Sequence, residues 1–312
     1  MKNLIGYFLL FLSINISFAQ DAHFSQYNSS RLNTNPSFTG TDSTLNISTG
    51  GRLQWYNMDG GYKSFYFSAD NYVRFMSAGI GVNYMYNSEI NGAYTNFRID
   101  LNYAPHFELF KHKLAVQPSF QMAYMQYTLD WSKLIFGDQI DERTGFVYNT
   151  RELPGRSQIS IADFATGLLI YSTHYYGGIA VQHLTQPNIG YVGTSQLPIK
   201  ITIHTGAIIG FKTKNFTLSP NILYMQQSTA TMFLPGVTAK YKMVVAGVSY
   251  RANDAFIMNA GFQCRFLKIG YSYDYTTSLL TNKTTGGAHE VQLTWFMHYR
   301  KTPNKIKTLR LI

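Results

Sequence analysis

His289-Glu290 is the pair that comes nearest to metal or catalytic chemistry. A zinc-protease helix carries a second histidine four residues after the first, so that both imidazoles reach one metal. Leu293 holds that place, and the residues around it alternate as a strand does. Asp138, Asp141 and Glu142 form an acidic group, but their spacing is not that of a calcium-binding EF-hand loop. They read as a solvated loop. A serine hydrolase needs a nucleophile, a histidine base and an orienting carboxylate or amide. The eight histidines, His106, His174 and His204 among them, fall in separate turns or strands with no nucleophile signature. Arg98, Asp100, Lys268, Asp274 and Glu290 lie on the polar sides of alternating segments. Charges so placed are expected to pair across neighbouring strands, filling an interior and fixing register. The chain therefore reads as non-enzymatic, with no cofactor and no metal.

The elements that must position these residues are strands. In Thr95–Tyr103, Phe97, Ile99, Leu101 and Tyr103 fall on one face and Asn96, Arg98, Asp100 and Asn102 on the other. A helix would scatter these charges around its circumference, whereas a strand sorts them. Leu267 to Tyr275 and Val291 to Tyr299 alternate in the same way. About fourteen such segments are expected, near 44–57, 62–72, 75–88, 93–104, 112–129, 158–172, 174–184, 198–212, 215–227, 229–240, 242–251, 254–264, 266–277 and 287–300. The more apolar face is rich in Tyr, Leu and Ile, and the other is polar with Gly. That is the inside-out pattern of a membrane barrel, not of a soluble sandwich. No repeat of about 40 residues marks a propeller. The expected fold is all-β: a single antiparallel transmembrane β-barrel over 44–300.

Connection lengths agree. If the first strand rises outward, the longest connections, 130–157, 185–197 and 278–286, are all external, and most of the alternate ones are tight turns. Outer-membrane barrels show this asymmetry. Charged residues are only 13% of the chain and aromatics 16%, with 24 Tyr and 22 Phe, which suits strands between lipid and an aqueous interior. Residues 1–19 read as a secretory signal, with Lys2, an apolar stretch from Leu4 to Ile16, and Ser17-Phe18-Ala19 before a cut at Gln20. Cys264 is the one cysteine, so no disulfide within the chain stabilises it. The net charge of +10 suits anionic lipid headgroups or acidic partners, and no nucleic-acid module is present. Outer-membrane lipid is an expected partner and nucleic acid is not. Residues 301–312 read as a basic periplasmic tail.

Two blocks open the mature chain: Gln20-Asp21-Ala22-His23-Phe24-Ser25-Gln26-Tyr27, then Asn35-Pro36-Ser37-Phe38-Thr39-Gly40. Phe136-Gly137-Asp138-Gln139-Ile140-Asp141, His183-Leu184-Thr185-Gln186-Pro187, Gly270 to Tyr275 and Gly286 to Leu293 follow in order. Together they resemble the PorP/SprF family of type IX secretion and gliding-motility outer-membrane proteins. Ala22 stands where that family often has proline, and Ser37 where alanine is usual. The resemblance implies a barrel that helps secrete a large cargo protein such as an adhesin, or anchors it at the cell surface, alongside other type IX components. Phe24, Ser25, Gln26, Tyr27, Asn35, Pro36 and Gly40 are the motif residues. Arg98, Asp100, Asp274, His289 and Glu290 are candidates at the lumen or rim, and Asp138, Gln139 and Asp141 in the external loop. Segment 20–43 reads as a plug or clasp, because a free linker has little use for Phe24, Tyr27 and Phe38. The alternatives are a fourteen-stranded transporter of hydrophobic small molecules, with an apolar pocket beneath the plug, and a porin with an open polar lumen.

Overall fold

The structure is a computed structural model that describes residues 21–42, 44–110, 113–141, 143, 145–146, 150, 155–211, 215–297 and 311. The signal segment, Glu142 and the basic tail apart from Leu311 lie outside the described residues.

Sixteen β-segments form one sheet that closes on itself. Two are short continuations, Phe107–Leu109 beyond the fourth strand and Ile209–Gly210 beyond the eighth, which leaves fourteen strands. In chain order these are β1 (Leu45–Gln54), β2 (Tyr62–Val73), β3 (Ala78–Glu89), β4 (Tyr94–Pro105), β5 (Leu114–Leu129), β6 (Gln158–Tyr171) and β7 (Tyr175–Gln182). Then come β8 (Lys200–Ala207), β9 (Phe216–Gln227), β10 (Ala230–Tyr241), β11 (Val244–Arg251), β12 (Ala255–Gln263), β13 (Leu267–Thr276) and β14 (Ala288–Met297). Every strand pairs antiparallel with its sequence neighbours, and β1 closes on β14 with Ile47 opposite Trp295. Closure leaves no edge, so the backbone groups of the wall are bonded without water, as a bilayer requires.

Alternation decides which face each side chain takes. In β4, Arg98, Asp100 and Asn102 are buried while Ile99, Leu101 and Tyr103 are exposed. In β13, Lys268, Ser272 and Asp274 are buried while Ile269, Tyr271 and Tyr275 are exposed. The polar residues are thus the inner ones, the reverse of a soluble domain.

The connections sort by end. Six short ones gather at one end, and each has an exposed aromatic at or beside it: Phe75, Phe110, Tyr175, Phe211, Tyr241 and Phe266. Such a ring suits a membrane–water interface. Two-residue turns there and at the opposite end need a positive φ, which Lys242 (52°) and Ser228 (54°) supply. The opposite end carries the long loops, including 130–157 with its small hairpin Ile140–Asp141 against Gly145–Phe146.

Candidate functional site

Residues 21–42 run through the lumen. Their aromatic and aliphatic side chains are drawn to the few apolar inward-facing residues of the wall. Phe24 lies edge-on to Tyr66 at 4.8 Å, with Met85 beside them. Tyr27 packs with Leu223, Leu234 and Ile257, and its hydroxyl donates to Asn221 Oδ1 at 2.7 Å. Leu32 and Phe38 join Leu169, Tyr171, Tyr176 and Leu311. Phe38 also stacks on the His204 ring at 4.9 Å. A short helix, α1 (Arg31–Thr34), and a 3₁₀ turn (Pro36–Phe38) supply what local structure the segment has.

Its most concentrated polar contact is at Ser25. The hydroxyl donates to Asp274 Oδ2 at 2.6 Å and accepts from Arg52 Nη1 and from Arg251 Nη2, both at 2.7 Å. The two guanidiniums also hold Asp274 directly, at 2.8 Å and 2.9 Å. Glu290 accepts the backbone N–H of Ser25 at 2.7 Å and of Gln26 at 3.0 Å, and pairs with Arg52 at 3.3 Å. Arg52, Arg251, Asp274 and Glu290 come from four strands, β1, β11, β13 and β14, and all four are buried. Ser25 therefore adds hydrogen bonds to a charge network that is already paired within itself inside a low-dielectric lumen.

A second anchor lies nearer the long-loop end. His183 follows β7, and its Nδ1 and Nε2 meet Asp163 at 2.7 Å and Asp21 at 2.8 Å. Lys200 reaches the same Asp21 oxygen at 3.3 Å. Carboxylates at both ring nitrogens call for a doubly protonated imidazole. Burial pushes the His183 pKa down, but Asp21 and Asp163 outweigh burial and hold it above the ordinary histidine range. Burial likewise pushes Asp21 up, but His183 and then Lys200 outweigh it and hold the carboxyl well below the usual range. His23 between the anchors is different: burial, then Arg251 and Arg52, keep its ring neutral.

The second motif block fits the wall by shape. Asn35 caps the 3₁₀ turn by accepting from the Ser37 N–H at 2.8 Å, and its amide donates to Ile179 O at 3.2 Å. Ser37 Oγ lies 2.7 Å from Ser119 Oγ, the Thr39 carbonyl accepts from Gln117 Nε2 at 2.6 Å, and the Gly40 N–H donates to Asp70 at 2.8 Å. Gly40 has φ +71°, which favours glycine, and a Cβ there would overlap the Gly79 backbone. A Cβ on Gly79 would collide with the Thr39 carbonyl, and one on Gly167 with Asn35 and Ser37. Wall glycines thus make the seat for Asn35–Gly40.

The pattern that defines the family described as "type IX secretion system membrane protein PorP/SprF" matches residues 16–295. The chain belongs to this family. No curated protein sequence matches it. Among solved structures it is similar to a deletion mutant of TodX, a monoaromatic hydrocarbon channel, at 10% identity and a TM-score of 0.48, covering 86% of this chain and 94% of that one. Similarity to CymD, another monoaromatic hydrocarbon channel, is 12% in identity with a TM-score of 0.45, covering 90% of this chain and 96% of that one. For the outer membrane protein Omp33 of Acinetobacter baumannii the values are 7% and 0.45, covering 84% and 100%.

In this PorP/SprF barrel the residues singled out in the sequence separate into three places. Phe24, Ser25, Gln26, Tyr27, Asn35, Pro36 and Gly40 lie in the lumen with Asp274 and Glu290. Arg98 and Asp100 pair at 3.0 Å within one strand, not across two, because both are inward positions of β4. Lys268 has no ion-pair partner among the described residues, so the expected pairing across neighbouring strands is formed by Glu290 with Arg52 and by none of these three. His289 is on the outer face, 2.7 Å from the Tyr271 hydroxyl and beside the Tyr56 and Tyr273 rings, away from Glu290. Asp138 bonds Thr150 at 2.9 Å and Gln139 accepts from the Phe136 N–H at 2.9 Å, while Asp141 closes the small loop hairpin. No three His, Cys, Asp or Glu side chains converge as metal ligands among the described residues. Arg52, Arg251, Asp163 and Lys200 escaped sequence reading. Each is a single charge on an inward position, and only the closed barrel brings it to a plug residue.

Two larger cavities remain in the lumen, and they share no lining residue. One, of about 410 Å³, opens toward the long loops and includes Asp21, His23, Arg98 and Lys200. The other, of about 550 Å³, lies toward the short turns and includes Arg31, Lys240 and Lys268. The plug stands between them.

Proposed function

We propose that this PorP/SprF protein is a non-enzymatic outer-membrane barrel that serves a large secreted protein of the type IX system, aiding its export or holding it at the cell surface. The observation that carries this reading is the plug. Residues 21–42 are fixed by buried ion pairs and hydrogen bonds along the length of the lumen. A porin needs a continuous aqueous path, and a plugged lumen argues against one. A transporter of hydrophobic molecules needs an apolar pocket beneath the plug, and the cavity there sets five basic side chains beside its apolar ones, which favours it less. What remains for recognition is the surface: the long loops, with 130–157 foremost. In that loop Trp131 lies parallel to Phe136 with ring centres 6.3 Å apart and meets Tyr191 of the next long loop edge-on. Trp131 thus joins the described parts of the two loops.

The test is quantitative surface proteomics of a deletion strain beside uptake assays for small solutes. One or a few large surface proteins should be lost while general secretion and uptake stay normal. An unchanged surface proteome with lost uptake of a solute would overturn the proposal in favour of a transporter.

A further inference from the structure

The described residues that line the cavity at the short-turn end include more basic than acidic side chains. Arg31, Lys240, Lys242, Arg265 and Lys268 line it, and Asp42 is the one acid among the described lining residues. Asp42 is already engaged by Arg31 at 3.3 Å. Lys268 is the decisive residue. It is 8% exposed, stands on the inner face of β13, and has no hydrogen-bond or ion-pair partner among the described residues. The charges close enough to act on it include Arg31 and Lys240, both positive. It also borders a small cleft of about 40 Å³ beside the plug. A buried ammonium beside Arg31 and Lys240, with no acid paired to it among the described residues, is costly, and a bound anion removes that cost.

The rest of the lining narrows the ligand. Several cations facing one space suit an anion with more than two oxygens, which can accept from lysines and a guanidinium together. A single carboxylate has two. Ile208, Met243, Phe296 and Leu311 give the same cavity an apolar side, next to the exposed aromatics of the short turns. Lys242 and Arg265, both exposed, stand at the mouth.

We propose that this cavity is a phosphate site opening at the short-turn end of the barrel, with Lys268 as its buried cation. The phosphate group is either free or the headgroup of an anionic phospholipid whose apolar part meets Phe296 and Met243. This proposal is independent of the barrel's role toward secreted proteins.

The experiment uses the full-length barrel purified in zwitterionic detergent. Binding is measured by calorimetry with inorganic phosphate, and by native mass spectrometry in nanodiscs of phosphatidylglycerol against phosphatidylcholine. The wild-type barrel should bind at least one phosphate-bearing probe saturably. Lys268→Gln should weaken that binding by about tenfold, and Lys268→Arg should restore most of it. Binding of inorganic phosphate alone identifies a free-phosphate source, and selective retention of phosphatidylglycerol identifies lipid. If Lys268→Gln does not assemble, the exposed pair Lys242→Gln and Arg265→Gln serves in its place, with a loss of about fivefold expected. Absence of saturable binding, binding unchanged by these substitutions, or binding only of an acidic peptide overturns the proposal.

Discussion

Ser25 shows how much a small side chain does when it meets charges already in place. Its hydroxyl is shared by two guanidiniums and a carboxylate, so Ser25→Ala leaves three buried groups short of a partner. The loss should be about 1–3 kcal/mol of plug attachment. Limited proteolysis of the N-terminal segment in outer-membrane vesicles reads it as faster cleavage, with the barrel itself still heat-modifiable. Arg52→Ala removes one side of a buried ion-pair network and should be worse, about 3–5 kcal/mol. Equal protease resistance of both variants and the wild type would show that the network does not hold the plug.

His183 gives the plug a pH dependence with a definite sign. Its folded pKa is raised, so its contribution is fully present below the ordinary histidine value of about 6.5 and is lost as pH rises through the raised value. Asp21 is depressed, so its contribution is present above about 3.9 and is lost as pH falls through its lowered value. The Asp21 end of the plug should therefore loosen on the alkaline side. Amide hydrogen exchange of residues 21–24, corrected for intrinsic rates, should quicken from pH 6 to pH 9. In His183→Asn that extra quickening should vanish, and its persistence would mean that another group controls the plug.

At the scale of elements, the alternating strands make separate demands on their two faces. Ile99 is 39% exposed on the outer face near the middle of β4. Ile99→Arg should cost about 2–4 kcal/mol of barrel stability, and Tyr103→Arg nearer the strand end should cost less. Heat-modifiable folding in denaturant series measures both, and an equal cost would place the bilayer midplane elsewhere. On the inner face, Gly79 and Gly167 are spacers for the plug. Gly79→Val should leave strand pairing intact but push Thr39 and Gly40 off the wall, so a cysteine placed at Ser37 should become reactive to a small aqueous maleimide. Unchanged labelling would show that the wall yields instead.

These same elements mark how far the sequence could be read. The strands were legible because a period of two sorts charges such as Arg98 and Asp100 from Ile99 and Leu101 without any knowledge of neighbours. Connection lengths were legible for the same local reason. The Ser25 network was not, because Arg52 and Arg251 are 199 positions apart in number and meet only when β1 and β11 face each other across a closed lumen. The role of Gly79 was equally hidden, since a strand glycine looks alike whether it faces a plug, a ligand or nothing. Ser25 and Gly40 stood out as motif members, while the charges and glycines that receive them did not.

At the scale of the whole molecule, an apolar outer face, a polar inner face and an ordered segment through the centre together describe a membrane barrel that is closed as it stands. Two cavities with separate linings flank segment 21–42, and on the proposed reading a solute passes only when this plug moves. The most direct measurement is ion conductance of the purified full-length barrel in a planar lipid bilayer near pH 6. The wild type is expected to stay closed, with steady conductance appearing in a variant carrying both Ser25→Ala and Arg52→Ala. Steady porin-like conductance of the wild type under the same conditions would contradict this expectation.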